Sequence, residues 1–213
     1  MILKGGIKLK QALDNITKCV AEILKEVAEL KKGCEETKLS DLKPGETFMI
    51  ADHEFLVLDH TETGTKVISK DMWQEDSIEF GSSKEYATSN VKNFIDREVL
   101  PVIAAAVGEE NIIEHDVDLT ALDGGNDFGF IRLKVHPIEF MEARKYFELL
   151  INEDLPDWWW TITPWNSRGI GYAKSLAVVS PSGNILNYCY YDYGGGVRPF
   201  CILNSNIFVS CDK

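Results

Sequence analysis

The sequence predicts an α+β fold: an amino-terminal coiled-coil helix followed by a mixed α/β domain. Three observations predict it. Apolar residues at Leu9, Leu13, Ile16, Val20, Ile23, Val27 and Leu30 recur at alternating spacings of 4 and 3, the heptad seam of a coiled coil. Further on, helical signals are confined to the middle of the chain. Short strand-like runs broken by turn residues occupy both ends of the remainder, and this segregation argues against an alternating βαβ fold.

In the opening helix, Leu13, Val20 and Val27 fall at position a and Leu9, Ile16, Ile23 and Leu30 at position d. A β-branched residue at d suits a trimer or tetramer better than a parallel dimer. Glu26 at g and Lys31 at the following e are placed for an interchain ion pair. The expected state is a parallel homotrimer; the alternative is a helix folded back on its own domain. Gly33 ends the helix as a C-cap residue. The predicted division is a coiled-coil helix over 1–33, a polar linker over 34–39 and a binding domain over 40–213.

Within the domain, Glu46 to Ile50, His53 to Leu58 and Thr65 to Ser69 read as strands separated by Ala51-Asp52 and by Thr61 to Gly64. Phe55, Val57, Val67 and Trp73 are the expected core members. Thr88 or Ser89 can cap a helix carrying Val91, Phe94, Ile95 and Val99, stopped by Pro101. A second helical piece covers Val102 to Val107. Residues 109–127 read as an acidic loop. Pro137 is expected at the first position of a further helix that offers Phe140, Met141, Phe147 and Leu150 for burial. From Trp158 to Val209 the chain is expected to be β-rich.

Charge and cysteine usage narrow the function classes. The 213 residues carry 34 acidic and 22 basic side chains, a net charge of -12. Such a surface repels phosphate backbones, so nucleic acid is not an expected partner. The five cysteines (Cys19, Cys34, Cys189, Cys201, Cys211) have no CxxC spacing and form no ligand-like pattern with His53, His60, His115 or His136, so no structural zinc site and no cofactor is expected. No apolar run approaches the length of a signal peptide core or a membrane span. The expected location is a virion or the cytoplasm, with no membrane partner.

No Gly-x-Ser-x-Gly elbow, His-Glu-x-x-His or Walker loop is present, and the expectation is a non-enzymatic protein. Asp116, Asp118, Asp123, Asn126 and Asp127 surround Gly124-Gly125, but their spacing does not fit an EF-hand loop, and a solvated acidic loop is expected. Gly194-Gly195-Gly196 lacks a phosphate-loop context and is expected to permit a tight bend; Arg198 is expected to be structural.

The binding candidates lie in the tail. Rigid rings give contact area at low entropic cost, and Asn and Ser add adaptable hydrogen bonds. Trp158, Trp160, Trp165, Asn166, Arg168, Tyr172, Asn184, Asn187, Tyr188, Tyr190, Tyr191, Asp192 and Tyr193 are the expected ligand-binding residues. In a strand, Trp159 would face one side and Trp158 and Trp160 the other. The alternative is a tyrosine-rich hairpin with ordinary cross-strand ring pairs.

The succession Leu42-Lys43-Pro44-Gly45-Glu46, Phe55-Leu56-Val57-Leu58, Trp158-Trp159-Trp160-Thr161-Ile162-Thr163-Pro164, Ala177 to Ile185 and Gly196-Val197-Arg198-Pro199-Phe200 resembles an uncharacterised domain family of Firmicutes and their phages. That family carries WWLRSP-type and GVRPAL-type strands. The likeness spans roughly residues 40 to 210 and departs where Thr161-Ile162-Thr163-Pro164 replaces Leu-Arg-Ser-Pro, leaving Arg168 later in the chain. The family in turn is similar to C-type-lectin-like folds, which include formylglycine-generating enzymes and the variable proteins of diversity-generating retroelements. The resemblance implies a C-type-lectin-like domain with an exposed carboxyl-terminal recognition face, rich in the Asn, Tyr and Ser that adenine-directed mutagenesis leaves. It also implies a phage receptor-binding or retroelement-diversified variable protein that binds a cell-surface protein or glycan. A structural virion decoration or assembly protein touching other virion proteins is the rival. A catalyst like the formylglycine-generating enzymes would need Cys189 and Cys201 as an active pair.

Overall fold

The computed structural model describes residues 16–23, 25, 36–168, 174–189 and 194–211. The fold is mixed α/β and dominated by antiparallel sheet. Residues 16–23 are helical (α1). Of the seam residues, Ile16, Val20 and Ile23 are described; Leu9, Leu13, Val27 and Leu30 lie outside the described residues, as do Gly33 and most of the expected linker.

The chain next forms β1 (Glu36–Lys38), β2 (Thr47–Ile50), β3 (His53–His60), β4 (Thr65–Ser69) and β5 (Ile78–Glu79). Helix α2 (Asn90–Phe94) passes through a π-turn over Ile95–Val99 into α3 (Leu100–Val107). Then come β6 (His115–Asp118), β7 (Phe130–Leu133), β8 (Val135–Pro137), α4 (Phe140–Lys145) and α5 (Phe147–Leu150). The tail supplies β9 (Trp159–Pro164), β10 (Ser175–Val179), β11 (Ile185–Cys189), β12 (Gly194–Gly195), β13 (Pro199–Leu203) and β14 (Phe208–Ser210).

The main sheet has the order β1-β14-β2-β3-β4-β13-β8, and a second sheet has the order β11-β10-β9. Two ribbons, β12-β5 and β6-β7, complete the strands. The three expected early strands are present, and Ala51 sits at φ 51° in the expected turn between β2 and β3. Residues 36–38, expected as linker, instead form β1 and pair with β14 through Thr37 and Val209. The first and last strands of the domain are thus neighbours.

The main sheet is covered on both faces, which explains its uninterrupted apolar runs. Phe55 and Val57 of β3 and Cys201 and Leu203 of β13 pack with Val91, Ile95, Val99 and Ile103 of the α2–α3 helix. Leu56, Leu58, Phe200 and Ile202 point the other way, onto Ala143, Tyr146 and Leu150 of α4 and α5. Successive strand residues face opposite sides, so a strand buried on both faces cannot alternate with polar residues. Trp73, expected in the core, is half-buried and stacks on His53 with ring centroids 3.6 Å apart.

Three local expectations are corrected. Pro101 does not stop the helix. It sits in the first turn of α3, directly after the π-turn, where its missing N–H falls at a junction in the hydrogen-bond ladder. Pro137 ends β8 rather than opening a helix, and α4 starts at Phe140 with Glu139 as N-cap. The acidic stretch 109–127 is not all loop, because His115–Asp118 is strand β6 paired with β7. The capping expectation resolves to Ser89, whose hydroxyl accepts from the Lys92 N–H at 3.0 Å.

Candidate functional site

Strand β9 lies between the two cores. Trp158 and Trp160 pack in one, and Trp159 packs in the other. Alternation is therefore as expected, but both faces are buried. Trp159 and Trp160 have no exposed surface, and Trp158 retains 7%. Trp158 and Trp160 are thus removed from the expected ligand face. The Trp160 indole N–H donates to the Ile78 carbonyl at 2.7 Å. The two rings meet edge to face with centroids 4.8 Å apart, a favourable arrangement for buried aromatic pairs.

Tyr188 on β11 lies flat on Trp158, with centroids 4.4 Å apart and planes 9° from parallel. It is half-buried and behaves as one side of a ring pair between strands, the alternative the sequence left open. Asn187 and Asn184 are exposed. The registers Leu176↔Pro164 and Ser175↔Cys189 bring the end of β9, the start of β10 and the end of β11 to one edge of the small sheet. Trp165, Asn166, Arg168 and Cys189 gather there. Asn184 sits at the opposite end, where it lines an open depression of about 450 Å³ with Phe140, Arg144, Phe147, Gly183 and Ile185. Tyr172, Tyr190, Tyr191, Asp192 and Tyr193 lie outside the described residues.

The gathered edge is built on a clamp that the sequence did not reveal. Lys84 is buried, and its ammonium donates to Asn166 O at 2.5 Å, Asn166 Oδ1 at 3.2 Å and Ser167 O at 3.1 Å. Three donors meet three oxygens, which satisfies a buried ammonium. Burial holds its pKa below the ordinary lysine value, opposed by the charges of Asp123 and Asp127. From the other side, Asp123 accepts the Ser167 N–H at 2.8 Å and its hydroxyl at 2.7 Å. Asp127 accepts the Arg168 N–H at 2.8 Å.

These bonds to Ser167 and to the Gly125 amide hold the Asp123 carboxyl below its usual range. The acidic loop is therefore more than a solvated face. Two of its carboxylates bind backbone N–H groups of residues 167 and 168. Gly125 is required for the approach, because a Cβ there would lie 1.7 Å from Ser167 Oγ.

Asn166 is consequently buried at 6% exposure and its carbonyls serve the clamp, which corrects its expected role as a surface contact. Trp165 is half-buried, and Arg168 is exposed. The Arg168 guanidinium pairs with Glu85 and lies 5.0 Å above the Phe128 ring. Lys84, Glu85 and Phe128 were missed because they are distant in sequence and carry no periodic signal.

The glycine run does not make a bend. Cβ atoms at Gly194, Gly195 and Gly196 would fall 2.4 Å from Ser77, 2.2 Å from the Trp158 ring and 2.1 Å from the Met72 sulfur. Side chains are excluded there by close packing. Arg198 is structural, as expected, though its acceptors are carbonyls. Nε donates to Ser69 O at 2.9 Å and Nη1 to Leu150 O at 3.2 Å, and the guanidinium lies 4.5 Å above the Trp159 ring. Burial lowers its pKa to about 10.

Cys189 and Cys201 are both free thiols. Burial pushes the Cys201 thiol up to about 12, which opposes the thiolate that nucleophilic chemistry requires. Among the described residues, no group of three or more His, Cys, Asp or Glu side chains is arranged to hold a metal, and no helix is long and apolar enough to cross a membrane. No protein-family model, curated protein or solved structure matches this chain.

Proposed function

We propose that this chain is a self-associating, non-enzymatic recognition module, with copies joined through the amino-terminal helix and a C-type-lectin-like head carrying the ligand face. One observation carries the reading. Ile16, Val20 and Ile23, spaced by 4 and 3, are 61%, 49% and 58% exposed on α1. Three large apolar side chains exposed in one heptad register are stabilised when a partner helix covers them and removes them from water. A second copy of the same helix matches the seam, and β-branched residues at d favour three or four strands over two.

The ligand face of this proposal is the clamped edge. Trp165 and Arg168 sit on a segment fixed from both sides, and Asn187 is exposed on the neighbouring edge strand. A pre-ordered segment loses little entropy on binding, and three heads multiply a weak single-site affinity when their ligands lie within linker reach. A cell-surface protein or glycan is the proposed ligand class, with display on a phage particle as the proposed setting. The rival reading, a virion assembly component, is favoured by the exposed Phe130, Met141 and Phe208, which suit packing against another subunit.

Light scattering on the full chain tests the association. The expected mass is three times the 24.0 kDa subunit, falling to one subunit in an Ile16→Asn, Ile23→Asn double variant. A single-subunit mass for the unaltered chain overturns the reading. Binding of the labelled protein to intact bacterial cells tests the ligand face. Arg168→Ala combined with Asn187→Ala is expected to abolish binding with the melting temperature unchanged, whereas undiminished binding overturns the placement.

A further inference from the structure

The outermost strand of a sheet leaves one row of backbone N–H and C=O groups unpaired, and folded proteins blunt such rows with charge, proline, shortness or a cover. Most edges of this fold are blunted. β1 has three residues and carries Glu36 and Lys38, and β8 has three and ends in Pro137. β6 and β7 carry Asp116, Asp118 and Arg132. β9 is covered through bonds from the Trp160 N–H to Gly196 O and from the Ile162 N–H to Ile138 O. β11 differs: it is an edge strand of five residues, Ile185 to Cys189, with neither a charge nor a proline.

The register shows which groups β11 offers. The Ser180 N–H donates to Asn184 O at 2.9 Å, so hydrogen-bonded pairs recur at every second position, Val178 with Leu186 and Leu176 with Tyr188. The intervening residues Ile185 and Asn187 therefore turn their N–H and C=O groups away from β10. Among the described residues nothing bonds to them there.

Beside this edge lies the depression of about 450 Å³ between Phe140, Arg144, Phe147, Gly183, Asn184 and Ile185. Phe147 is exposed there and sits so close to Gly183 that a Cβ would lie 2.6 Å from its ring. Arg144 is the one charged residue of the lining, is exposed, and has no ion pair among the described residues. A strand added to β11 sets the residue opposite Ile185 on the same face as Ile185, beside the two phenylalanines. The arginine complements a carboxylate on that face.

We propose that the β11 edge and this depression form a docking site for an extended peptide segment of another protein, added as a further strand. An apolar side chain of the segment seats against Phe140 and Phe147, and a carboxylate on the same face pairs with Arg144. Main-chain bonds to Ile185 and Asn187 supply affinity, and the depression selects the sequence. A second copy of this chain is the poorer occupant, because its own β11 brings no carboxylate to Arg144. The site rests neither on association through α1 nor on the clamped edge, and its test reads neither.

The probe is the blocked peptide acetyl-Thr-Asp-Thr-Phe-Thr-Asp-Thr-amide, whose symmetry serves either strand direction. It is titrated to millimolar concentration into the full chain and followed by ¹⁵N NMR and hydrogen exchange. Expected are protection of the Ile185 and Asn187 N–H groups and a shift of the Arg144 side-chain resonance. The same peptide N-methylated at its central residues is expected to produce neither. Asn187→Pro is expected to abolish binding, since an edge strand tolerates proline where the N–H faces outward. Arg144→Glu is expected to weaken the probe roughly tenfold or more and to confer binding of the peptide with lysine in place of aspartate. No protection at millimolar probe overturns the proposal, as does equal binding of the N-methylated peptide or an unchanged charge preference in Arg144→Glu. A mass that falls in Asn187→Pro, with no peptide bound by the parent, shows β11 paired between copies and likewise overturns it.

Discussion

Arg198 shows how a buried charge is made tolerable by geometry. Its guanidinium bridges the end of β4 and the end of α5 through carbonyls and stacks over Trp159. Arg198→Met keeps the volume but strands two carbonyls, and is expected to cost on the order of 2–4 kcal/mol in chemical denaturation. No loss of stability would mean that the two carbonyls find other partners.

Glu139 is the opposite case, a carboxyl that burial and the neighbouring Glu142 push up to about 7. The unfolded chain ionises this group near its ordinary value of 4.5, whereas the folded chain keeps it protonated to about 7. Between those values the unfolded state releases the proton first, so this group lowers stability as pH rises. Glu139→Gln is expected to remove that slope and raise the melting temperature at pH 8. A variant whose melting curve between pH 4 and 8 tracks the parent would refute the assignment.

At the scale of elements, the clamp between the acidic loop and residues 166–168 decides whether the candidate face is pre-formed. Asp123→Ala leaves the Ser167 N–H and hydroxyl without their acceptor and frees the Gly125 amide. Hydrogen exchange at Ser167 and Arg168 is expected to accelerate at least tenfold, with β3 and β13 unaffected. Uniform acceleration across the sheet would show that the clamp is part of the global fold instead.

Among the elements, β2, β3, β4 and the Ser89-capped helix were legible in the sequence, since alternation, turn residues and a capping hydroxyl are local signals. The helical piece from Val102 to Val107 was legible too, but its unbroken junction with the first helix across Pro101 was not, because it depends on the π-turn and on Ile103 being buried against the sheet. Strand β1 was hidden for a similar reason. Its polar residues 36–38 form a strand only because β14 offers an edge to pair with.

For the whole molecule, the proposed association and the folding of the domain are separable. The heptad spacing from Leu9 to Leu30 spans three heptads of sequence, and an isolated helix of that size is marginal in water. Its order should therefore follow protein concentration, while the domain closes its own two cores. Dilution is expected to reduce the helical circular dichroism signal without shifting the thermal midpoint of the domain. A signal independent of concentration would place the partner of α1 within its own chain.

The sequence by itself determined the heptad spacing, the mixed α/β class, the early strands and the alternation of the three tryptophans, because each rests on spacing within one segment. Only the tertiary structure decided that both faces of β9 are buried, which withdraws Trp158 and Trp160 from any ligand. It alone placed Lys84 beneath Asn166 and set His115 against His136. Those pairings join residues 82 and 21 positions apart, and a contact of that kind is fixed by which sheets stack, information that no local spacing contains.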